Sequence, residues 1–273
     1  MATPRLAKLQ LKGADGRPLP VDVRTAGSDG KRPAVVICHG FKGFKDWGFF
    51  PFLADRLAKA GFMAISFNFS GSGVGEGMVF DQPDRFAHQR PTADLQDLAT
   101  LSDWALAEGS GWLGLVGHSR GGGLAVLQAA RDERVKALVT WAAIDHFLRW
   151  PDDEVARWRR EGRIEIVNSR TGEVLTLLRD ALDDIDANRA QLDVVAAAKY
   201  VRVPWLIAHG SADATVPVAV AQQLAADSGS ARTELLVEAG GDHGFGAKHP
   251  WAGSNPIFDD VLDQTVKLFA SAL

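Results

Sequence analysis

The stretch Gly117-His118-Ser119-Arg120-Gly121 constrains this chain more than any other part of it. The apolar run Trp112-Leu113-Gly114-Leu115-Val116 leads into it, and Gly122-Gly123-Leu124-Ala125-Val126-Leu127, which reads as a helix, follows. G-x-S-x-G between a strand and a helix describes a turn tight enough to strain the backbone of its central serine. Glycines two positions before and two after Ser119 stand where a side chain would collide with the neighbouring chain. A glycine-rich loop carrying an ordinary surface serine would show the same five letters. The two are told apart by whether the rest of the chain supplies the partners that a reactive serine needs.

Those partners depend on the architecture, which the chain announces in order. Leu6 to Gln10 and Leu19 to Arg24 predict two strands joined across Gly13-Ala14-Asp15-Gly16, a hairpin signal with Asp-Gly in the turn. Ala34-Val35-Val36-Ile37-Cys38 is apolar throughout and suits a strand buried on both faces. Phe50, Leu53, Leu57 and Ala60 are spaced as one helix face, with Gly61 to stop it. Phe62 to Phe69 predicts the next strand and opens into the loop Gly71-Ser72-Gly73-Val74-Gly75-Glu76-Gly77. No helix follows that loop directly, so it reads as a mobile loop rather than a dinucleotide site. Thr92 is the expected cap of a helix that carries Leu95, Leu98, Leu101, Ala105 and Leu106 on one side.

Beyond the elbow, Val135 to Trp141 predicts another buried strand. Residues 145 to 200 then break the rhythm with an Arg- and Trp-rich stretch, the run Ile164-Glu165-Ile166-Val167-Asn168, Thr171-Gly172 and an acidic stretch from Asp180 to Asp193. That length exceeds an ordinary connection, so the segment is expected to form small elements of its own as an inserted cap. The alternation resumes with Trp205-Leu206-Ile207-Ala208, a helix from Pro217 to about Ala226, Glu234-Leu235-Leu236-Val237 and a final helix near Asn255-Pro256. The pattern predicts an α/β fold: a mainly parallel sheet of about eight strands with helices on both faces. It is taken as a single domain, residues 1 to 273, with a cap at about 145–200.

Composition excludes several function classes. A net charge of −4 offers no basic surface for nucleic acid. One cysteine rules out an internal disulfide and any multi-cysteine metal site. No run approaches the ~20 apolar residues of a membrane span, and Met1 to Lys12 lacks the apolar core of a signal peptide. A cytoplasmic location is expected, and the oligomeric state is left open.

A serine hydroxyl is a poor nucleophile until a base takes its proton and an acid orients that base. In open parallel sheets reactive groups gather past the carboxyl ends of the strands. Ser119, Asp213 and His243 each follow a strand there, in the chain order Ser, Asp, His that such an architecture requires. Asp145 is the serious rival for the acid, while Asp242 and Asp227 suit a turn cap and a surface charge. Of the other histidines, His39 and His209 end interior strands and are expected to brace loops, and His118 is expected to point away from the nucleophile. His88, His146 and His249 carry no comparable signal. No H-x-x-x-H spacing supports a catalytic metal. Two backbone donors for a developing oxyanion are expected at Arg120, after the serine, and at Phe41, after the Ala34–Cys38 strand.

With these motifs in hand, the chain resembles the α/β-hydrolases. The similarity lies in the serine-esterase and peptidase-like branch near the cinnamoyl/feruloyl esterases, acylaminoacyl-peptidase catalytic domains and dienelactone-hydrolase-like proteins. It rests on His39-Gly40-Phe41, Gly117-His118-Ser119-Arg120-Gly121-Gly122, His209-Gly210-Ser211-Ala212-Asp213-Ala214-Thr215-Val216-Pro217 and Gly241-Asp242-His243-Gly244-Phe245. It spans about residues 30 to 272, with the cap least matched. It implies Ser119 as nucleophile, His243 as base, Asp213 as orienting acid, and N–H donors from Phe41 and Arg120. Two departures stand out: the elbow carries serine where dienelactone hydrolases carry cysteine, and the chain has no room for the propeller of oligopeptidase relatives. The expectation is a cofactor-independent serine hydrolase, a carboxylesterase acting on a small-molecule ester. Trp141, Trp150 and Trp158 are expected to shape its apolar pocket. The alternatives are a small aminopeptidase or amidase, with Asp183, Asp184 and Asp186 holding an amine, or a non-catalytic binding module of the same fold.

Overall fold

The computed structural model describes residues 3–27, 29–75, 78–168 and 172–273. Strands β1 (Arg5–Lys12) and β2 (Pro18–Thr25) form the expected antiparallel hairpin, with Asp15 at φ +53° in the turn. Then come β3 (Ala34–Cys38), α1 (Phe50–Lys59), β4 (Met63–Phe67), α2 (Pro83–Ala87), α3 (Pro91–Glu108) and β5 (Leu113–His118). Helix α4 (Arg120–Arg131) leaves the elbow and returns as β6 (Val135–Trp141). The last sheet units are β9 (Trp205–Gly210), α8 (Val218–Asp227), β10 (Thr233–Glu238) and α9 (Pro256–Ser271). The eight strands run in the order β1-β2-β4-β3-β5-β6-β9-β10. Only the β1–β2 and β2–β4 pairs are antiparallel; the other five are parallel.

The continuous apolar runs are explained by two cores, one on each face of this sheet. Ala34, Val36 and Cys38 of β3 join the core under α3, α4 and α8, whereas Val35 and Ile37 join the core under α1 and α9. Side chains alternate along a strand, so a strand covered on both faces must be apolar at every position. All five residues of β3 are buried, and each fully buried Val or Ile contributes about 1.5–3 kcal/mol.

Residues 145–200 leave the sheet and build small elements, as expected. These are α5 (Asp152–Glu161), the antiparallel pair β7 (Arg163–Val167) and β8 (Val174–Leu178), α6 (Asp180–Ala187) and α7 (Val194–Ala198). Thr171, read as part of this segment, lies outside the described residues.

Two local expectations change. Thr92 does not cap α3: the helix begins one residue earlier, at Pro91, and takes its cap from the insert. The Asp184 carboxylate on α6 accepts the Thr92 N–H at 2.9 Å and the Thr92 hydroxyl at 2.5 Å. This satisfies a first-turn N–H that no intrahelical carbonyl can reach. The Gly71–Gly77 loop is bonded where it is described: Asn68 Nδ2 donates to the carbonyls of Val74 and Gly75, and Gly75 N–H donates to Asp81. Glu76 and Gly77 of that loop lie outside the described residues.

Asp184 therefore latches the insert to the helix that flanks the elbow. Asp184→Ala is expected to cost about 1 kcal/mol, at most about 2, because it removes a helix cap. Urea denaturation would show this as a lower midpoint with an unchanged slope.

Candidate active site

Three loops at the carboxyl ends of β5, β9 and β10 meet at one cleft. Ser119 sits between β5 and α4 at φ +56° and ψ −120°, a conformation that costs an L-residue of order 1–3 kcal/mol. The surrounding backbone over-determines it. Ser119 N–H donates to the Trp141 carbonyl at 2.9 Å, and its own carbonyl accepts from Gly122 at 2.9 Å and Ile144 at 3.2 Å. The flanking glycines are required by contact: a Cβ on Gly117 would lie 2.2 Å from the Gly121 carbonyl, and one on Gly121 would lie 2.4 Å from the Cys38 carbonyl.

Asp213 and His243 sit on two loops bonded to each other. Ala212 N–H donates to the Gly241 carbonyl at 2.9 Å, Ser211 N–H to the Glu238 carbonyl at 2.8 Å, and Gly240 N–H to Ser211 Oγ at 2.8 Å. Across this seam His243 Nδ1–H donates to Asp213 Oδ2 at 2.7 Å. Asp213 Oδ1 accepts the N–H groups of Thr215 at 2.8 Å and Val216 at 2.9 Å. His209 Nε2–H, donating to the Val216 carbonyl at 2.8 Å, also stands 3.3 Å from Asp213 Oδ2. Burial alone would raise the Asp213 pKa, but the donors from His209, His243 and Val216 outweigh it and hold the carboxyl well below the usual range. Asp213 is therefore an anion that keeps the Nδ1 proton on His243 and leaves Nε2 as the basic nitrogen.

A model of the alpha/beta hydrolase fold matches residues 33–160, the stretch that contains β3 and the elbow. The chain has the α/β-hydrolase fold. An Escherichia coli protein described as an uncharacterized 31.7 kDa protein in the traX-finO intergenic region is 32% identical over 116 residues, 41% of this chain and 38% of that protein. The 2,6-dihydropseudooxynicotine hydrolase of Paenarthrobacter nicotinovorans is 25% identical over 231 residues, 84% of this chain and 57% of the relative. Both matches cover less than two thirds of those curated relatives. Est1E from Butyrivibrio proteoclasticus, solved with ferulic acid bound, superimposes with a TM-score of 0.69 at 17% identity, over 96% of this chain and 99% of that one.

The cleft encloses about 690 Å³. Ser119, Arg120 and His243 line it beside Gly40 and Phe41 of the loop after β3. Arg120 opens α4, so its N–H belongs to the first turn and has no intrahelical acceptor. Its guanidinium makes two bonds to Asp94 Oδ2, at 3.0 and 2.6 Å. Phe41 lies within a tight turn in which Gly43 N–H donates to the Gly40 carbonyl and Lys42 takes φ +55°.

Of the three tryptophans only Trp150 lines the cleft, with Phe147, Arg149 and Ile166 of the insert beside it. Trp141 is fully buried beneath the site, where its indole N–H donates to Thr265 and its ring packs on Phe49, Phe245 and Phe258. Trp158 is fully buried in the insert, against Trp150. Both residues build walls behind the cleft rather than its surface. The amine-binding acids are also corrected: Asp186 pairs with Arg159 and Arg189, Asp183 with Arg179 at 3.0 Å, and Asp184 with Thr92. None of the three lines the cleft.

The rival acids separate by geometry. Asp145 Oδ1 lies 2.6 Å from His146 Nδ1, Asp242 accepts the N–H groups of Gly244 and Gly246, and Asp227 accepts from Gln223. His39 braces two loops as expected: its Nδ1–H donates to the Gly40 carbonyl and its Nε2 accepts Phe69 N–H. Burial, with the charge of Arg120, lowers its pKa to about 4. His118 departs from expectation. It lines the cleft, with its ring 4.7 Å from that of His243.

The depressed Asp213 pKa has a definite sign for stability. Its contribution is complete above the unfolded-chain value of about 3.9 and is lost as the pH falls below it. Asp213→Asn, which leaves buried donors facing an amide, is expected to cost about 2 kcal/mol at pH 7. Melting curves should show the gap to the wild type narrowing steadily between about pH 4 and pH 2.

Proposed function

We propose that the protein is a serine hydrolase that cleaves carboxylic esters through an acyl-enzyme on Ser119. The observation that carries this reading is the 2.7 Å bond from His243 to the buried Asp213 anion, in a cleft that Ser119 shares at a strained elbow. His243 Nε2 takes the Ser119 proton as the oxygen attacks the ester carbonyl. The oxyanion forms against the N–H groups of Arg120 and Phe41, a contribution of about 3 kcal/mol per donor in comparable sites. His243 then returns the proton to the leaving alcohol, and water activated by the same nitrogen releases the acid. Asp213 stays ionised throughout, orienting the ring and stabilising its cationic form. No cofactor enters any step.

The cleft walls favour an apolar acyl group. Phe41, Phe147, Trp150 and Ile166 face it, and the Trp150 ring stands edge-on to Phe41 at 6.0 Å. Est1E, which shares the fold, was solved with ferulic acid bound. An amide substrate requires better protonation of the leaving group, and the acids read as its amine anchor are already partnered, Asp183 and Asp186 within the insert and Asp184 with Thr92 of α3.

Initial rates on p-nitrophenyl esters from acetate to decanoate test the proposal, with matched anilides as the amide comparison. Turnover is expected with the esters, falling by a factor of about 10⁴ or more in Ser119→Ala while the fold survives. Fluorophosphonate is expected to label the wild type and not the variant. Retained turnover in Ser119→Ala would refute the assignment.

A further inference from the structure

We infer that His118, outside the proposed triad, is a positioning residue that ties the loop of the base His243 to the nucleophile elbow through a neutral imidazole. The inference rests on the serine-hydrolase reading above and adds a fourth side chain to it.

His118 ends β5, one residue before Ser119, and is almost wholly buried. Its Nε2–H donates to the carbonyl of His243 at 2.8 Å. That carbonyl fixes the tautomer, since only a protonated Nε2 can donate to it. The same ring lies 4.7 Å from the His243 ring at an interplanar angle of 53°. Phe49 meets it edge-on at 5.4 Å and Phe50 at 6.3 Å. On its other side, Nδ1 stands 3.4 Å from where a Cβ on Gly40 would be, and that same Cβ would lie 3.1 Å from the Ser119 Cβ. The imidazole thus reaches from the end of the elbow strand to the base loop and lies beside Gly40, next to Phe41.

The base loop needs such a tether. It is rich in glycine, with Gly240 and Gly246 at positive φ and Phe245 at +57°. Its own bonds stabilise the turn after His243, where Asp242 accepts from Gly244 and Gly246. The Asp213 bond fixes the ring of His243, whereas the His118 bond fixes its backbone. Together they set where Nε2 stands relative to Ser119 Oγ. A displacement of about 1 Å in such a pair costs on the order of a hundredfold in rate.

Neutrality follows from the surroundings. The titratable groups facing His118 are His243 and Asp213, on the two bonded loops, and His209, which ends β9; Phe49 and Phe50 are uncharged. Burial, then the neighbouring His243, lowers its pKa to about 3. His243 must become a cation when it takes the serine proton. A neutral donor holds it without opposing that charge, which a lysine or arginine at this position would do.

His118→Phe keeps a ring of similar shape and removes the donor; His118→Gln restores a neutral N–H at similar reach. With p-nitrophenyl butyrate, His118→Phe is expected to lose about tenfold to hundredfold in kcat with KM within about twofold. Fluorophosphonate labelling of Ser119 should slow by the same factor, and His118→Gln should recover to within about fivefold of wild type in both assays. A His118→Phe chain with wild-type kcat, pH profile and labelling rate would overturn the role. Should His118→Phe not fold, a folded His118→Gln chain more than about tenfold slower than wild type would overturn it equally. Nitrogen-15 NMR of the wild-type histidines reads the tether without catalysis. His118 is expected to keep a neutral Nε2–H form from about pH 5 to 9, and titration within that window would overturn the proposal. A wild-type chain that neither hydrolyses esters nor labels would instead remove the serine-hydrolase reading itself.

Discussion

Ser119 holds its positive-φ backbone because three segments of the chain close on one point where glycine leaves room. The Gly121 carbonyl presses on Gly117, and the Cys38 and His39 carbonyls press on Gly121. The pairing of β3, β5 and β6 brings these backbones together, with Cys38 opposite Gly117 and His118 opposite Trp141. The strain is balanced by hydrogen bonds on both sides of the serine and by strands buried in two cores. Loosening that crowding would move at once Ser119, the first N–H of α4 and the loop carrying Phe41.

The supports around this point are mostly polar and buried. Asp213 gathers donors from two histidines and two backbone amides, so a full charge survives out of water. On one flank Arg120 is anchored to Asp94 beneath α4. On the other, the loop after β3 is pinned where Lys45 N–H donates to Asn68 and Lys45 Nζ to Asp22, at 2.7 and 2.9 Å. Such pairs add little net stability, but removing one partner leaves a buried charge behind. Their role here is to fix the loops around the cleft.

The strand–helix alternation, the elbow and the loop positions of Ser119, Asp213 and His243 were legible in the sequence, because each leaves a local mark: an apolar run, a glycine, a reactive residue at a strand end. Side-chain direction leaves no such mark. Trp141 and Trp158 looked like pocket residues because they are aromatic and near the site, yet one points down into the sheet packing and the other into the insert. His118 was expected to point away, because its contact with His243 joins residues 125 apart in sequence. Asp184 and Thr92, 92 residues apart, form a helix cap that neither local sequence announces.

The proposed mechanism joins these parts: a serine held at a strained elbow, and a histidine kept in one tautomer by a buried anion. Mass spectrometry of the protein quenched in acid during turnover of a p-nitrophenyl ester tests this most directly. The account predicts a transient mass gain of one acyl group, carried by the peptide that contains Ser119. Turnover without any acyl adduct, or an adduct on another residue, would contradict it.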